Sequence, residues 1–473
     1  MKDFPLFCAN ERVYTDEKIT VYDKYSNEII GKACVADRAI LEQAISWGKQ
    51  AQEPLRELSS YERRDVIFHI MTELQRRCEE FTTLIVQETG KTLLEARTEV
   101  SRAIDTFRVA MEESTRLYGE ILPLDIAPRS RNYTGYTKRI PVGLCFFITP
   151  FNFPLNLLAH KVAPALATGC PFIAKPASTT PLSALLLGEI MAQTQLPKGA
   201  FSILPTSAAL AEEALLDPRI QLVSFTGSAE VGWKLKQKAY RKKVILELGG
   251  NAAIIVTPSA NILRAAQRIT FGAFYQAGQS CISVQRIFVH EDIYTPFIQE
   301  LLTQTRQLKL GNPMEEDTHV GPLISEKEAM RIESWIQKAQ EKGARLLCGG
   351  KRQGSFLEPT LLENVPPDEP LVCEEAFGPV AVIEPFNNLE EAISKVNQSR
   401  YGLQAGIFTE KISEALYAWK NLVVGGVVVN DVPSFRVDNM PYGGVKDSGF
   451  GREGIRYAME EMTEIRLMVL SEQ

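Results

Sequence analysis

From about residue 140 to about residue 430, short apolar runs rich in β-branched residues alternate with segments of helical period. This feature restricts the possible folds more than any other. A run that is apolar at every position suits a strand covered on both faces, and parallel neighbours must be joined by a crossover long enough to hold a helix. Runs at 144–148, 172–174, 201–204 and 222–225, with helical patterns at 181–192 and 229–237, predict one doubly wound parallel sheet. After Gly249-Gly250 a second set begins, with strands predicted at 252–256, 284–289, 380–383 and 425–430 and helices near 262–276 and 294–307. A chain of 473 residues is too long for one core, so the two sets read as two α/β domains that meet near residue 250.

Two other textures flank these sets. Residues 37–118 repeat apolar side chains at three and four (Ile40, Leu41, Ala44, Ile45, Trp47) with charges between them, which predicts helices packed on a sheet. Residues 129–139 (RSRNYTGYTKR) alternate in a strand-like way but are too polar for a central strand, and 463–470 form a second strand of this kind. Exposed strands commonly pair with another subunit.

Composition narrows the function classes. A net charge of −6 creates no field that would gather phosphates, so nucleic acid is not an expected partner. No apolar run approaches the roughly 20 residues that span a bilayer, and Met1 to Arg12 has no apolar targeting core, so a cytosolic location without membrane association is expected. The eight cysteines form no CxxC pair, and His69, His160, His290 and His319 stand apart from one another and from the cysteines; no metal site is expected.

Four segments can carry chemistry. Cys281, in FYQAGQSCISV, follows a glycine turn and precedes a strand, a placement that presents a thiol on a loop. A reactive thiol needs ionisation or a base, and thioester chemistry needs oxyanion donors and a group that activates water. Glu247, in ILELGGN, ends a strand ahead of two glycines, which predicts a carboxylate exposed to a crevice as a general base. Asn152, in ITPFNFPLN, sits between Pro150 and Pro154, which stiffen the loop so that a neutral amide is aimed at developing negative charge. VSFTGSAEVG, from Val223 to Gly232, runs from a strand through a glycine turn into a helix and offers backbone N–H groups and a positive helix end to a pyrophosphate, although it does not match GxGxxG.

These segments together resemble the aldehyde dehydrogenase superfamily. PFNFP, AKPAS, FTGS, ELGGN, GQSC, EEAFGPV and PYGGVKDSGFGREG stand in the family's order from Pro150 to Gly454. The resemblance implies an α/β fold with a Rossmann-like cofactor-binding domain (1–125 and 143–249), an α/β catalytic domain (250–440) and a small β arm (126–142 and 455–473) that builds homodimers, or tetramers from dimers. It also implies that Cys281 attacks a small-molecule aldehyde, that the Asn152 amide and the Cys281 N–H hold the oxyanion, that hydride passes to NAD or NADP, and that Glu247 activates water to release the acid. For the cofactor it assigns Lys175 to the adenosine ribose, Gly227 and Ser228 to the pyrophosphate, and Glu375 with Phe377 to the nicotinamide side, with Thr149 and Phe151 lining the same cleft. Many NAD-preferring members carry an acidic residue three positions after the lysine; Ser178 stands there, so NADP is tolerated without NAD being excluded.

Three competitors fit less well. A catalytically silent binding homologue would have lost Cys281, Glu247 or Asn152; a coenzyme-A-acylating member generally lacks the glutamate; and a phosphorylating enzyme would want a histidine beside the cysteine. For the substrate, His160 lies about two turns along the helix that follows Asn152, and Arg102 resembles a position that binds anionic aldehydes. Ser280 replaces the arginine that phosphate-binding members place before the nucleophile. A pocket with His160, Arg102 and no second arginine predicts a short hydroxylated aldehyde or a small acidic semialdehyde.

Overall fold

The structure, a computed structural model, describes residues 2–471; residues 1, 472 and 473, the outer ends of the segments expected to form the cofactor domain and the arm, lie outside the described residues. Two large sheets organise the chain. The first has eight strands in the order Gly449–Phe450, Lys243–Glu247, Ile220–Thr226, Leu144–Ile148, Phe172–Lys175, Phe201–Ile203, Leu6–Cys8 and Glu11–Val13, and the five from Lys243–Glu247 to Phe201–Ile203 are parallel. Their side chains are almost all buried, as a sheet covered on both faces requires. Ile148 pairs with Lys175 and with Phe225, and Thr226 pairs with Glu247, so these strands finish level with one another.

The second sheet has seven strands in the order Arg345–Cys348, Thr360–Glu363, Val380–Phe386, Val284–His290, Ala252–Val256, Gln404–Phe408 and Gly426–Val429, parallel except at the first pair. Arg345–Cys348, Thr360–Glu363 and Gln404–Phe408 are missing from the sequence expectation. Gln404–Phe408 is short and broken by Gly406, where a Cβ would lie 2.4 Å from Ile254 Cδ1; the glycine answers to packing against the neighbouring strand and so weakens the strand signal.

Helices Arg38–Gln50, Ser60–Arg76 and Leu93–Glu113 fall within the helical stretch, each begun by a side-chain cap from Asp37, Ser59 or Thr92. Helix Asn156–Thr168 is buried along its whole length. The helix expected over 262–276 stops at Phe274, because Gln276, Ala277 and Gly278 all take left-handed φ values of 52°, 52° and 69°. The strand expected over 129–139 begins later, at Tyr133–Pro141, behind a tight turn at Pro128–Ser130; it pairs along its length with Thr463–Ser471 and on its other side with Ile121–Pro123. No helix among the described residues is long and apolar enough to cross a membrane.

Candidate active site

The level carboxyl ends of the first sheet open into the loops Thr149–Asn152, Pro176–Ser178 and Gly227–Ser228 and the turn after Glu247, the crevice at which open α/β sheets bind ligands. The amino ends of the second sheet close over it. Ala252 pairs with Val284, three residues after Cys281, so the glycine turn and the thiol loop are neighbours. Contact there is close enough to demand glycine: a Cβ on Gly250 would lie 2.1 Å from the Cys281 carbonyl oxygen, and one on Gly249 would lie 2.5 Å from a Glu375 carboxylate oxygen.

Cys281 is half-buried, and its Sγ lies 3.2 Å from the Tyr442 hydroxyl. Burial pushes the thiol up to about 12, against the hydrogen bond with Tyr442, so the resting group is a thiol and needs a base. The left-handed turn before it is held by contacts from elsewhere. The Gln276 N–H donates to the Glu95 carboxylate, and the Gln276 amide donates to the Asn152 carbonyl. That carbonyl also accepts from Lys91 Nζ at 2.8 Å; Lys91 is ion-paired with Glu99, and Glu99 accepts from the N–H groups of Leu155 and Asn156 at 2.9 and 3.1 Å. The Asn152 Nδ2 donates to the Gln279 carbonyl at 3.0 Å. A side-chain clamp thus ties the Asn152 loop to the thiol loop, beyond the stiffness expected from the two prolines.

Lys91, Glu95, Glu99 and Gln276 were not singled out from the sequence. A signal existed: Glu95, Glu99, Arg102 and Thr106 recur at four, three and four along one helix, a polar stripe that needs partners when it faces inward. It meets Gln276, Lys91, Asp438 and Asn156 in turn.

Glu247 corrects one expectation. Its carboxylate is buried, 3% exposed, and not open to the crevice, because Gly443 and the loop around it cover the strand end; a Cβ at Gly443 would lie 2.9 Å from Glu247 Oε1. Neither carboxylate oxygen has a hydrogen-bond partner in the protein. Burial raises its pKa well above the carboxylate range, the nearby Glu453 adds to this, and Arg436, Lys161 and Arg452 oppose it.

On the crevice side, Thr149 Oγ1 is buried without a partner and Ser228 caps helix Ala229–Lys238 with no side-chain bond, which leaves the helix's first N–H groups available. Lys175 Nζ reaches only the Pro176 carbonyl, at 3.4 Å. Gly227 and Lys175 are half-buried and Ser178 is exposed at the rim. Phe151 and Phe377 meet edge to face at 5.8 Å, with Phe377 in a left-handed conformation (φ 53°). Glu375 accepts from the Gly250 N–H at 2.8 Å and is pushed up to about 7 by burial. Unpaired polar atoms, a free helix end and an aromatic wall fit a dinucleotide.

The opposite side of the thiol is charged. Arg102 and His160 both reach Asp438 Oδ1, each at 2.8 Å. His160 is buried, and burial together with the Arg436 charge pulls its pKa down against the pull of Asp438, so the ring is neutral and donates through Nε2. A second arginine is present after all, which corrects the pocket expected from sequence: Arg436 lies 3.7 Å from the Tyr442 ring centre and 3.2 Å from Glu453. The second guanidinium comes from a loop 156 residues beyond Ser280. Ser280 itself accepts from the Tyr275 hydroxyl.

The model of the aldehyde dehydrogenase family matches residues 13–468. A 3-sulfolactaldehyde dehydrogenase of Priestia aryabhattai is 44% identical over 472 residues, covering 100% of this chain and 98% of the relative. The structure superposes on aldehyde dehydrogenase 21 of Physcomitrella patens, solved in complex with the reaction product succinate, with a TM-score of 0.98, 46% identity and 99% and 98% of the two chains covered. It also superposes on a glyceraldehyde-3-phosphate dehydrogenase of Methanocaldococcus jannaschii, solved with NADP (TM-score 0.93, 38% identity, 97% and 100% covered). The chain belongs to the aldehyde dehydrogenase family. It is an oxidoreductase that acts on aldehydes.

Proposed function

We propose that this enzyme oxidises a short aldehyde with an anionic group at its far end, through a thioester on Cys281 that water then hydrolyses. One observation carries the substrate class: Arg102, bonded to Asp438, and Arg436, stacked on the Tyr442 ring whose hydroxyl meets Cys281, each keep a buried Nε with no partner in the protein. A buried donor without an acceptor is costly and marks where a ligand oxygen belongs. Two relatives support this, since the 3-sulfolactaldehyde of one name and the succinate bound to the other both carry an acidic group, whereas other relatives are named for the uncharged lactaldehyde.

In this reading the Cys281 thiolate adds to the aldehyde carbon after giving its proton to a base, and the Asn152 Nδ2 and the Cys281 N–H hold the resulting oxyanion. NAD(P), when bound, supplies the hydride acceptor; Thr149, Phe151, Lys175, Ser178, Gly227, Ser228, Glu375 and Phe377 would hold it. Glu247, once deprotonated, takes a proton from the water that attacks the thioester carbonyl, and Cys281 leaves as thiolate. Its presence supports hydrolysis over transfer to coenzyme A. His160 fixes Asp438, and through it Arg102.

We assign residues 1–125 and 143–249 to cofactor binding, 250–440 to catalysis, and 126–142 with 455–473 to assembly. Support for the last is the exposed apolar row Ile465, Leu467, Met468, Val469 and Leu470, which fits a dimer or a tetramer of dimers. The eight free cysteines accord with a reducing, cytosolic compartment.

The test is a panel of purified aldehydes followed by reduced-cofactor absorbance. The kcat/KM for 4-oxobutanoate or 3-sulfolactaldehyde is expected to exceed that for butanal or lactaldehyde by at least about tenfold, the worth of one charge-assisted hydrogen bond. Equal values would remove the anionic-tail reading.

A further inference from the structure

The aldehyde pocket contains an acid as well as its two arginines. Asp438, its side chain 5% exposed, gives one carboxylate oxygen to both Arg102 and His160. On the other flank Lys161 and Arg436 share Glu453, at 2.8 and 3.2 Å. Arg102, Lys161 and Arg436 are cations. Asp438 and Glu453 are anions: against the upward push of burial, His160 and Arg102 hold Asp438 well below the usual range, while Lys161 and Arg436 hold Glu453 at about 2. Burial pushes His160 and Glu247 toward their neutral forms, and Arg452 is turned onto the carbonyls of Gly444 and Gly451. Arg102 and Arg436 each give a terminal nitrogen to a carboxylate, Asp438 or Glu453, and each keeps an Nε with no protein partner, free for a ligand oxygen.

We propose that Asp438 determines the charge of the accepted substrate, selecting an aldehyde with a singly charged tail, carboxylate or sulfonate, over one with a phosphate dianion. This rests on the anionic-tail reading and sharpens it. A monoanion can meet the two unpaired Nε donors. A dianion brings a second negative charge against the Asp438 carboxylate that Arg102 already holds, and like charges in a partly desolvated site repel more strongly than in water. Asp438 acts through Arg102: it is a positioning residue that consumes part of one guanidinium.

The experiment compares wild type with Asp438→Asn, whose amide oxygen still accepts from Arg102 and His160, on 4-oxobutanoate, glyceraldehyde 3-phosphate and butanal. In wild type the monoanion is expected to be preferred, and in Asp438→Asn the ratio of kcat/KM for the phosphate over that for 4-oxobutanoate should rise at least about tenfold. Parallel losses that leave the ratio unchanged would overturn the proposal, since they are the signature of Asp438 merely ordering Arg102. A second measurement needs no variant. Phosphate monoesters lose their second proton near pH 6, so in wild type the same ratio should climb several-fold as pH falls from 7.5 to 5.5 and the dianion becomes a monoanion. A flat ratio overturns the proposal even where the variant fails to fold. If wild type uses butanal as well as 4-oxobutanoate, the anionic-tail reading fails; a preference for 4-oxobutanoate over butanal with an immobile phosphate ratio removes the role of Asp438 alone.

Discussion

On the crevice side of Cys281, the candidate cofactor groups sit within a few residues of a strand end and depend largely on backbone: Thr149 and Phe151 after Ile148, Lys175 at the end of its own strand, Gly227 and Ser228 after Thr226. On the aldehyde side, Arg102, His160, Arg436, Asp438, Tyr442 and Glu453 come from two helices and a loop region hundreds of residues apart, held by charge and by burial. The crevice is shaped by where strands stop. The pocket is shaped by which side chains can neutralise one another. The first construction tolerates changes in side chains so long as the turns persist, whereas in the second each charge depends on the others.

Cys281 lies where the two constructions meet, and its loss tests whether they are separable. Cys281→Ser is expected to lower turnover at least about a thousandfold, because a serine hydroxyl without an adjacent base is a poor nucleophile, while cofactor affinity measured by fluorescence titration stays near wild type. A matching collapse of cofactor binding would show that the crevice cannot stand without the thiol loop.

Glu247 belongs by sequence to the crevice strands and by burial to the charged pocket. Glu247→Gln should slow deacylation by roughly a hundred- to ten-thousandfold and leave a burst of about one reduced cofactor per site before a slow steady state. Its raised pKa sets the sign of the pH effect: a carboxyl held above its ordinary value becomes a base only as pH rises through the raised value, so wild-type turnover should increase from acid to alkaline pH, and the variant should lose that dependence. A variant without a burst whose hydride transfer remains fast would remove Glu247 as the hydrolytic base.

The smallest effect is expected at the crevice rim. Ser178→Glu would place a carboxylate near the 2′-phosphate of NADP, which should weaken NADP more than NAD by ~1–3 kcal/mol, about five- to a hundredfold or somewhat more. Equal losses for both cofactors would mean that Ser178 does not face the ribose.

The fold was legible wherever a run was apolar enough to be buried on both faces. Leu144–Ile148 and Ala252–Val256 end where the sequence predicts. Gln404–Phe408 was hidden because its glycine answers to a neighbouring strand, and the helix before Cys281 ended early because contacts from Glu95 and the Asn152 loop hold three left-handed residues that local propensity disfavours. Cys281, Asn152 and Glu247 were legible as candidates because each stands in a short motif at the end of a strand or turn.

By itself, then, the sequence determined the parallel α/β architecture, the reactive loops and the family, since all of these rest on local order: period, turn residues and short motifs. Only the tertiary structure decided that Glu247 is buried with its pKa raised, that Gln276 and Lys91 clamp the Asn152 loop, and that Asp438 and Glu453 pair with Arg102 and Arg436. Burial and charge pairing are properties of what surrounds a side chain, and here those surroundings come from segments up to 336 residues away in the chain.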